Sequence, residues 1–171
     1  MLPFKPTHIL ARLTLSVLLA LFSAATWGDE LTVYDGNETN NSVPAYVLYF
    51  DEYSKVQCVY PAESLSAMEA SNINGISFYT TSGNIPFTAD CPVDVYMKEV
   101  DYTSITGFEQ KSQCTVVWSG YLDFVQTDEG GMVTITFDQP YEYGGGNLLI
   151  GIENTQKGTY TSISFYGQQL A

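Results

Sequence analysis

The chain has 171 residues, 45% hydrophobic and 14% aromatic, with six Lys+Arg against nineteen Asp+Glu and a formal net charge of −13. That length suits one domain with its own core, and the apolar content excludes wholesale disorder. The only His is His8 and the only Arg is Arg12, both near the N-terminus.

Residues 1–12 carry Lys5, His8 and Arg12 and no acid, residues 13–22 (LTLSVLLALF) are apolar, and Ser23-Ala24-Ala25 are small. This is the charged, apolar and small-residue order of a secretory signal peptide, 1–25, cleaved after Ala25 or at a second site after Gly28. A spanning helix needs about 20 apolar residues, so the run is too short for one, and the mature chain is expected to carry no transmembrane segment. The predicted location is secreted or at the cell surface, with one β-sandwich domain over 29–171. Removing Lys5 and Arg12 takes the formal charge from −13 to −15 and leaves only Lys55, Lys98, Lys111 and Lys157 as cations. Nucleic acid is excluded as a partner, because displacing its counterions requires clustered Lys and Arg.

The mature chain reads in period two. Strands are expected at 31–34, 45–50, 56–60, 76–79, 93–98, 115–118, 121–126, 132–137, 148–152 and 163–166, rich in Val, Ile, Tyr, Phe and Thr. In 132–137, for example, Val133, Ile135 and Phe137 alternate with Met132, Thr134 and Thr136. Turn residues separate the runs: Asp35-Gly36-Asn37, Ser82-Gly83-Asn84, Asp128-Glu129-Gly130-Gly131 and Gly144-Gly145-Gly146-Asn147. One short helix is expected near 61–70, opened by Pro61. The fold class is therefore all-β: a two-sheet antiparallel β-sandwich, favoured over a closed barrel, with a jelly roll as one form it can take.

Three cysteines, Cys58, Cys91 and Cys114, allow at most one internal bridge, which an oxidising compartment favours. Cys91 and Cys114 each precede a strand. If those strands are antiparallel neighbours the two thiols sit at opposite ends, so Cys58 is the favoured partner of either and the pairing stays open.

Nucleophilic catalysis through an imidazole has no residue to use in the mature chain. With no His and no C-x-x-C spacing, a zinc site is equally unsupported. Gly144–Gly146 leads into a strand without a Lys, so it reads as a hairpin turn and not as a phosphate loop. A carboxylate-dependent glycosidase would need only two acids, and nineteen acids make such a pair uninformative. No cofactor is expected beyond a structural calcium, for which Asp35, Asn37, Glu38, Asp128 and Glu129 are candidates; solvated turns explain the same residues. Tyrosines are the remaining resource, since each offers a flat apolar face and a hydroxyl. Tyr49, Asp51 and Tyr53 (in YFDEY) and Tyr141, Glu142 and Tyr143 combine aromatic rings with carboxylates and are the candidate ligand-binding residues. Tyr121 and Tyr160 lie beside expected loops as well.

Several segments together carry a resemblance: Thr32-Val33-Tyr34-Asp35-Gly36, Val43-Pro44-Ala45-Tyr46, Val95-Tyr96-Met97-Lys98-Glu99-Val100, Pro140-Tyr141-Glu142-Tyr143, Gly145-Gly146-Asn147-Leu148-Leu149-Ile150-Gly151 and Ser164-Phe165-Tyr166-Gly167. Over residues 31–167 the chain resembles the adhesin-like β-sandwich module of secreted multidomain surface proteins from gut and oral anaerobic bacteria. The resemblance implies a β-sandwich that accompanies other domains of a longer surface protein, and it carries over no catalytic residue. The expected function is an exported, non-enzymatic binding or adhesion module that recognises a glycan or an extracellular protein through its loops. The alternative is a structural spacer or assembly subunit of a cell-surface protein.

Overall fold

The computed structural model describes residues 29–47 and 50–168; the expected signal peptide and Tyr49 lie outside the described residues. Two antiparallel sheets pack face to face. Their strands are β1 (Glu38–Asn40), β2 (Lys55–Tyr60), β3 (Ser71–Thr80), β4 (Phe87–Thr88), β5 (Val93–Val100), β6 (Thr115–Gly120), β7 (Asp123–Thr127), β8 (Gly130–Tyr143), β9 (Asn147–Asn154) and β10 (Phe165–Gly167). One sheet has six strands in the order β1-β10-β3-β8-β7-β4, the other four in the order β2-β9-β5-β6.

The pairing is nested. β1 pairs with β10, β2 with β9, β3 with β8 and β5 with β6, each antiparallel. The chain is thus one long hairpin whose paired arms are divided between the two sheets of a β-sandwich. β4 and β7 are additions beside β8 at one edge.

Alternation builds the core. Val133, Ile135 and Phe137 of β8 face Val93, Val95 and Met97 of β5 and Leu148, Ile150 and Ile152 of β9 across the interior, all of them buried. Tyr96 points the other way, outward from the four-stranded sheet, yet is fully buried because it lies over Gly151, its cross-strand partner. A Cβ at position 151 would run into the Tyr96 ring, so glycine is what lets the ring lie flat on the sheet.

Several expected elements differ. No strand forms at 31–34, because Tyr34 takes φ +57°, a left-handed conformation that breaks the pleat. Its ring instead stacks on Tyr60 at 6.0 Å, and the edge strand β1 forms later, at Glu38–Asn40. The described part of 45–50 is a turn, closed by Phe50 N–H to Val47 C=O at 3.1 Å, which buries Ala45, Val47 and Phe50 without a sheet partner. The segment 61–70 coils as a 3-10 helix, Ala62–Met68, with Leu65 tucked into the core. β4 gave no sequence signal, since Phe87 and Thr88 alone cannot display a period.

The expected disulfide is absent: Cys58, Cys91 and Cys114 are three separate thiols. β5 and β6 are antiparallel neighbours, so Cys91 and Cys114 do stand at opposite ends. Cys58 does not rescue the pairing. It lies opposite Ile150, which lies opposite Met97, which lies opposite Thr115, so Cys58 and Cys114 are near opposite edges of the sheet. Three strand spacings of about 4.8 Å far exceed the reach of a disulfide. Cys91 lies six residues before Met97, roughly 20 Å along the strand from the row that holds Cys58.

Candidate functional site

Three large side chains stand out at one end of the sandwich. Tyr53, Tyr121 and Tyr160 are 69%, 55% and 56% exposed. The strand register brings them to the same end: Lys55 lies opposite Glu153, and Val93 lies opposite both Asn154 and Gly120. Tyr53 precedes the start of β2, Tyr121 follows β6, and Tyr160 follows β9.

Their loops are tied by side chains. Asn154, buried at the end of β9, accepts from the Ser54 backbone N–H at 2.6 Å and from Ser54 Oγ at 3.2 Å. Its amide nitrogen donates to the carbonyls of Phe50 (3.3 Å), Glu52 (2.8 Å) and Gln156 (2.8 Å). Asp90 receives Thr159 N–H at 2.8 Å and Thr159 Oγ1 at 2.5 Å. Those bonds, the side-chain one first, hold the Asp90 carboxyl below the usual aspartate range. Pro92 C=O accepts from Thr155 N–H at 2.9 Å, and Ala89 N–H donates to Leu122 C=O at 2.8 Å.

Beside Tyr53 lies an open depression of about 190 Å³ lined by Tyr53, Ser54, Lys55, Glu153 and Asn154. Lys157 pairs with Glu52, and its ammonium sits 5.8 Å from the centre of the Tyr53 ring. Asp51 and Glu52 are both exposed on the same loop. The arrangement offers an aromatic face flanked by hydrogen-bonding and charged groups.

Of the residues singled out by sequence, Asp51 and Tyr53 belong to this end. Tyr141 and Tyr143 do not, and their reading as ligand contacts is corrected. They occupy alternate positions of β8 that face the core, 8% and 2% exposed, leaving only Glu142 outside. The calcium candidates do not converge either. Asp35, Asn37 and Glu38 lie in or before β1 at one edge, while Asp128 and Glu129 form the β7–β8 turn on the far side of β3. Among the described residues, no group of three or more His, Cys, Asp or Glu is arranged to hold a metal ion. Asn154, Lys157 and Glu153 were missed by sequence reading. Asn154 ends β9 and Lys157 follows it, where periodicity carries no information; Glu153 keeps the outward phase of β9, which marks its face but not its partners.

A second polar cluster covers the outer face of the four-stranded sheet. Lys111 bridges Asp94 (2.6 Å) and Glu153 (2.7 Å), Lys55 meets Glu153 (3.0 Å), and Lys98 meets Glu109 (2.8 Å). Tyr102 donates to Glu109 at 2.9 Å, and Gln57 exchanges hydrogen bonds with the Glu109 backbone. These contacts fasten the 101–114 connection across the sheet. An open cleft of about 420 Å³ along it is lined by Lys98, Glu99, Val100, Asp101, Tyr102 and Glu109. Three of its charged groups are already engaged: Lys98 and Glu109 pair with each other, and Glu99 receives the backbone N–H groups of Gly144 (2.8 Å) and Gly146 (2.7 Å). The glycine turn therefore holds an anion from its own chain. All four described lysines are ion-paired, Lys157 with Glu52 at the surface of the loop end.

Compared with models of protein families, with curated proteins and with solved structures, the chain gives no match.

Proposed function

We propose that the protein is an exported, non-enzymatic contact module that binds a glycan at the loop end built around Tyr53. One observation carries this reading: three exposed tyrosines gather where buried Asn154 and the Asp90–Thr159 bonds fix the loops. Rings held on fixed loops lose little freedom when a ligand docks, so binding there is preorganised. Asp51, Glu52 and Lys157 add polar groups beside the Tyr53 face, and the adjoining depression has room for about one sugar ring. Contact, as opposed to chemistry, agrees with a mature chain that retains no imidazole or guanidinium.

The test is a glycan array probed with residues 29–171 and with Tyr53→Ala. Specific binding that drops at least tenfold in the variant, at an unchanged melting temperature, supports the reading. Binding that ignores the substitution, or no bound glycan at all, overturns it and favours a spacer.

A further inference from the structure

The outward face of the six-stranded sheet carries a row that the loop-end reading does not use. The register sets Tyr79 opposite Met132 and Met132 opposite Val125. Phe165 lies opposite Thr80, so the antiparallel neighbour of Tyr79 on β10 is Tyr166. Phe78, Val133, Phe124 and Phe165 turn inward against the core, which puts Tyr166, Tyr79, Met132 and Val125 in line across four strands on the solvent side. Tyr79, Val125 and Tyr166 are 49%, 42% and 39% exposed.

The surroundings of this row hold hydroxyls and none of the four described lysines. Next to it run Ser77 and Thr134, hydroxyl to hydroxyl at 2.9 Å, then Gly75 and Thr136; Thr39 continues the row on β1, and Thr127 and Gly130 lie on its other flank. Outward acids border it: Asp123 two residues before Val125 on β7, its carboxylate accepting from Thr88; Asp138 next after Thr136 on the outward face of β8; and Asp128 and Glu129 in the β7–β8 turn.

We infer that this face is a platform for an extended, uncharged polysaccharide chain, with Tyr79 and Tyr166 stacking on sugar rings and the Ser77–Thr134–Thr136 hydroxyls hydrogen-bonding beside them. Charge selects the ligand. All four described lysines lie elsewhere, on the four-stranded sheet or at the loop end, so an acidic glycan finds no counter-charge here and meets carboxylates at the rim. Area argues against a second copy of the chain as occupant. The row exposes on the order of 300 Å² of apolar surface, a ligand-sized patch, where a stable protein interface needs about 800 Å² per partner. The inference uses none of the loop-end residues and stands apart from that reading.

Affinity electrophoresis tests it, with residues 29–171 run through gels containing hydroxyethyl cellulose, galactomannan or, as the acidic arm, polygalacturonate. Retardation by a neutral polymer is expected, falling at least tenfold in the double variant Tyr79→Ala, Tyr166→Ala and unchanged in Tyr53→Ala. Because both tyrosines are exposed, the double variant should keep its melting temperature; Thr134→Lys, which places a charge beside the row without removing a ring, gives a second reading. No retardation by either neutral polymer, equal retardation by polygalacturonate, or retardation indifferent to Tyr79 and Tyr166 overturns the inference. Sedimentation showing a dimer that the double variant abolishes would overturn it in favour of self-association.

Discussion

Asn154 Oδ1 accepts the backbone N–H of Ser54 at 2.6 Å across a hundred residues of sequence. Through this bond the end of β9 fixes the loop that presents Tyr53. The same side chain satisfies carbonyls of Phe50, Glu52 and Gln156, so one buried amide replaces the sheet partners those loops lack.

Replacing Asn154 with Ala leaves the Ser54 N–H and the carbonyls of Glu52 and Gln156 without this partner, while Phe50 C=O keeps the Gly158 N–H at 2.6 Å. Each group costs about 1–3 kcal/mol while it stays buried, and some will reach water as the loops loosen. We expect a loss of about 3 kcal/mol in urea unfolding, together with faster hydrogen exchange at the Ser54 amide. An Asn154→Ala protein within about 0.5 kcal/mol of the parent would show that the loops hold themselves.

Tyr141 and Tyr143 make the opposite test. Both rings are in the core, and Tyr143 Oη also donates to Gly146 C=O at 2.7 Å, bracing the glycine turn. Truncating either ring to Ala should cost about 3–5 kcal/mol, as for other buried aromatics. Any ligand affinity should survive wherever the fold does, whereas Tyr53→Ala should do the reverse. A stable, folded Tyr141→Ala or Tyr143→Ala variant that has lost binding would return these residues to the site.

The fate of these tyrosines shows what a single sequence conveys. Alternation along Met132, Val133, Thr134, Ile135, Thr136 and Phe137 fixed both a strand and its inner face. Continued through Tyr141, Glu142 and Tyr143, the same period would have placed both rings inside, but Pro140 reads as a strand terminator and so hid the extension of β8. The loop-end site was half legible. Exposed Tyr53 with its acids is a local pattern, whereas Asn154 works only through contacts about a hundred residues away. The sheet platform was out of reach for a different reason: Tyr79, Tyr166, Met132 and Val125 belong to four strands, and only the pairing register aligns them.

All three thiols should label as free cysteines. Burial raises each above its ordinary value, Cys58 to about 12, with the nearby Asp90 charge adding to the effect at Cys91. At pH 8 the thiolate fraction of Cys58 is then on the order of one in ten thousand, too little for rapid alkylation. We expect the partly exposed Cys114 to react slowly in the native protein, and Cys58 and Cys91 only after unfolding. Mass spectrometry of unreduced, denatured protein should find three labels. One label and a bridged pair would contradict the strand register given above.

The ion-pair face predicts a dependence on pH. At Asp94 burial raises the carboxyl, but the hydrogen bonds from Lys111 and Ser119 and the Lys111 charge together outweigh it, so the net position is below the usual aspartate range. At Glu153 burial is likewise overcome by hydrogen bonds from Lys111 and Lys55 and by their charges. Both groups therefore bind their proton less readily folded than unfolded, where Asp and Glu titrate near about 3.9 and 4.3. Their stabilising contribution is complete above those unfolded values and is lost as the pH falls through the lower folded ones. Lys111 shifts upward, its burial offset by the bonds to Asp94 and Glu153, and its share is lost only at alkaline pH. Urea unfolding at pH 7, 4 and 3 should show stability falling across the acid limb. Lys111→Met should be less stable at pH 7 and should lose less between pH 7 and 3, because both carboxyls move back toward their unfolded values. Parallel acid limbs for the two proteins would mean that Lys111 does not set the titration of Asp94 and Glu153, and that the strap over the four-stranded sheet is held by its neutral hydrogen bonds.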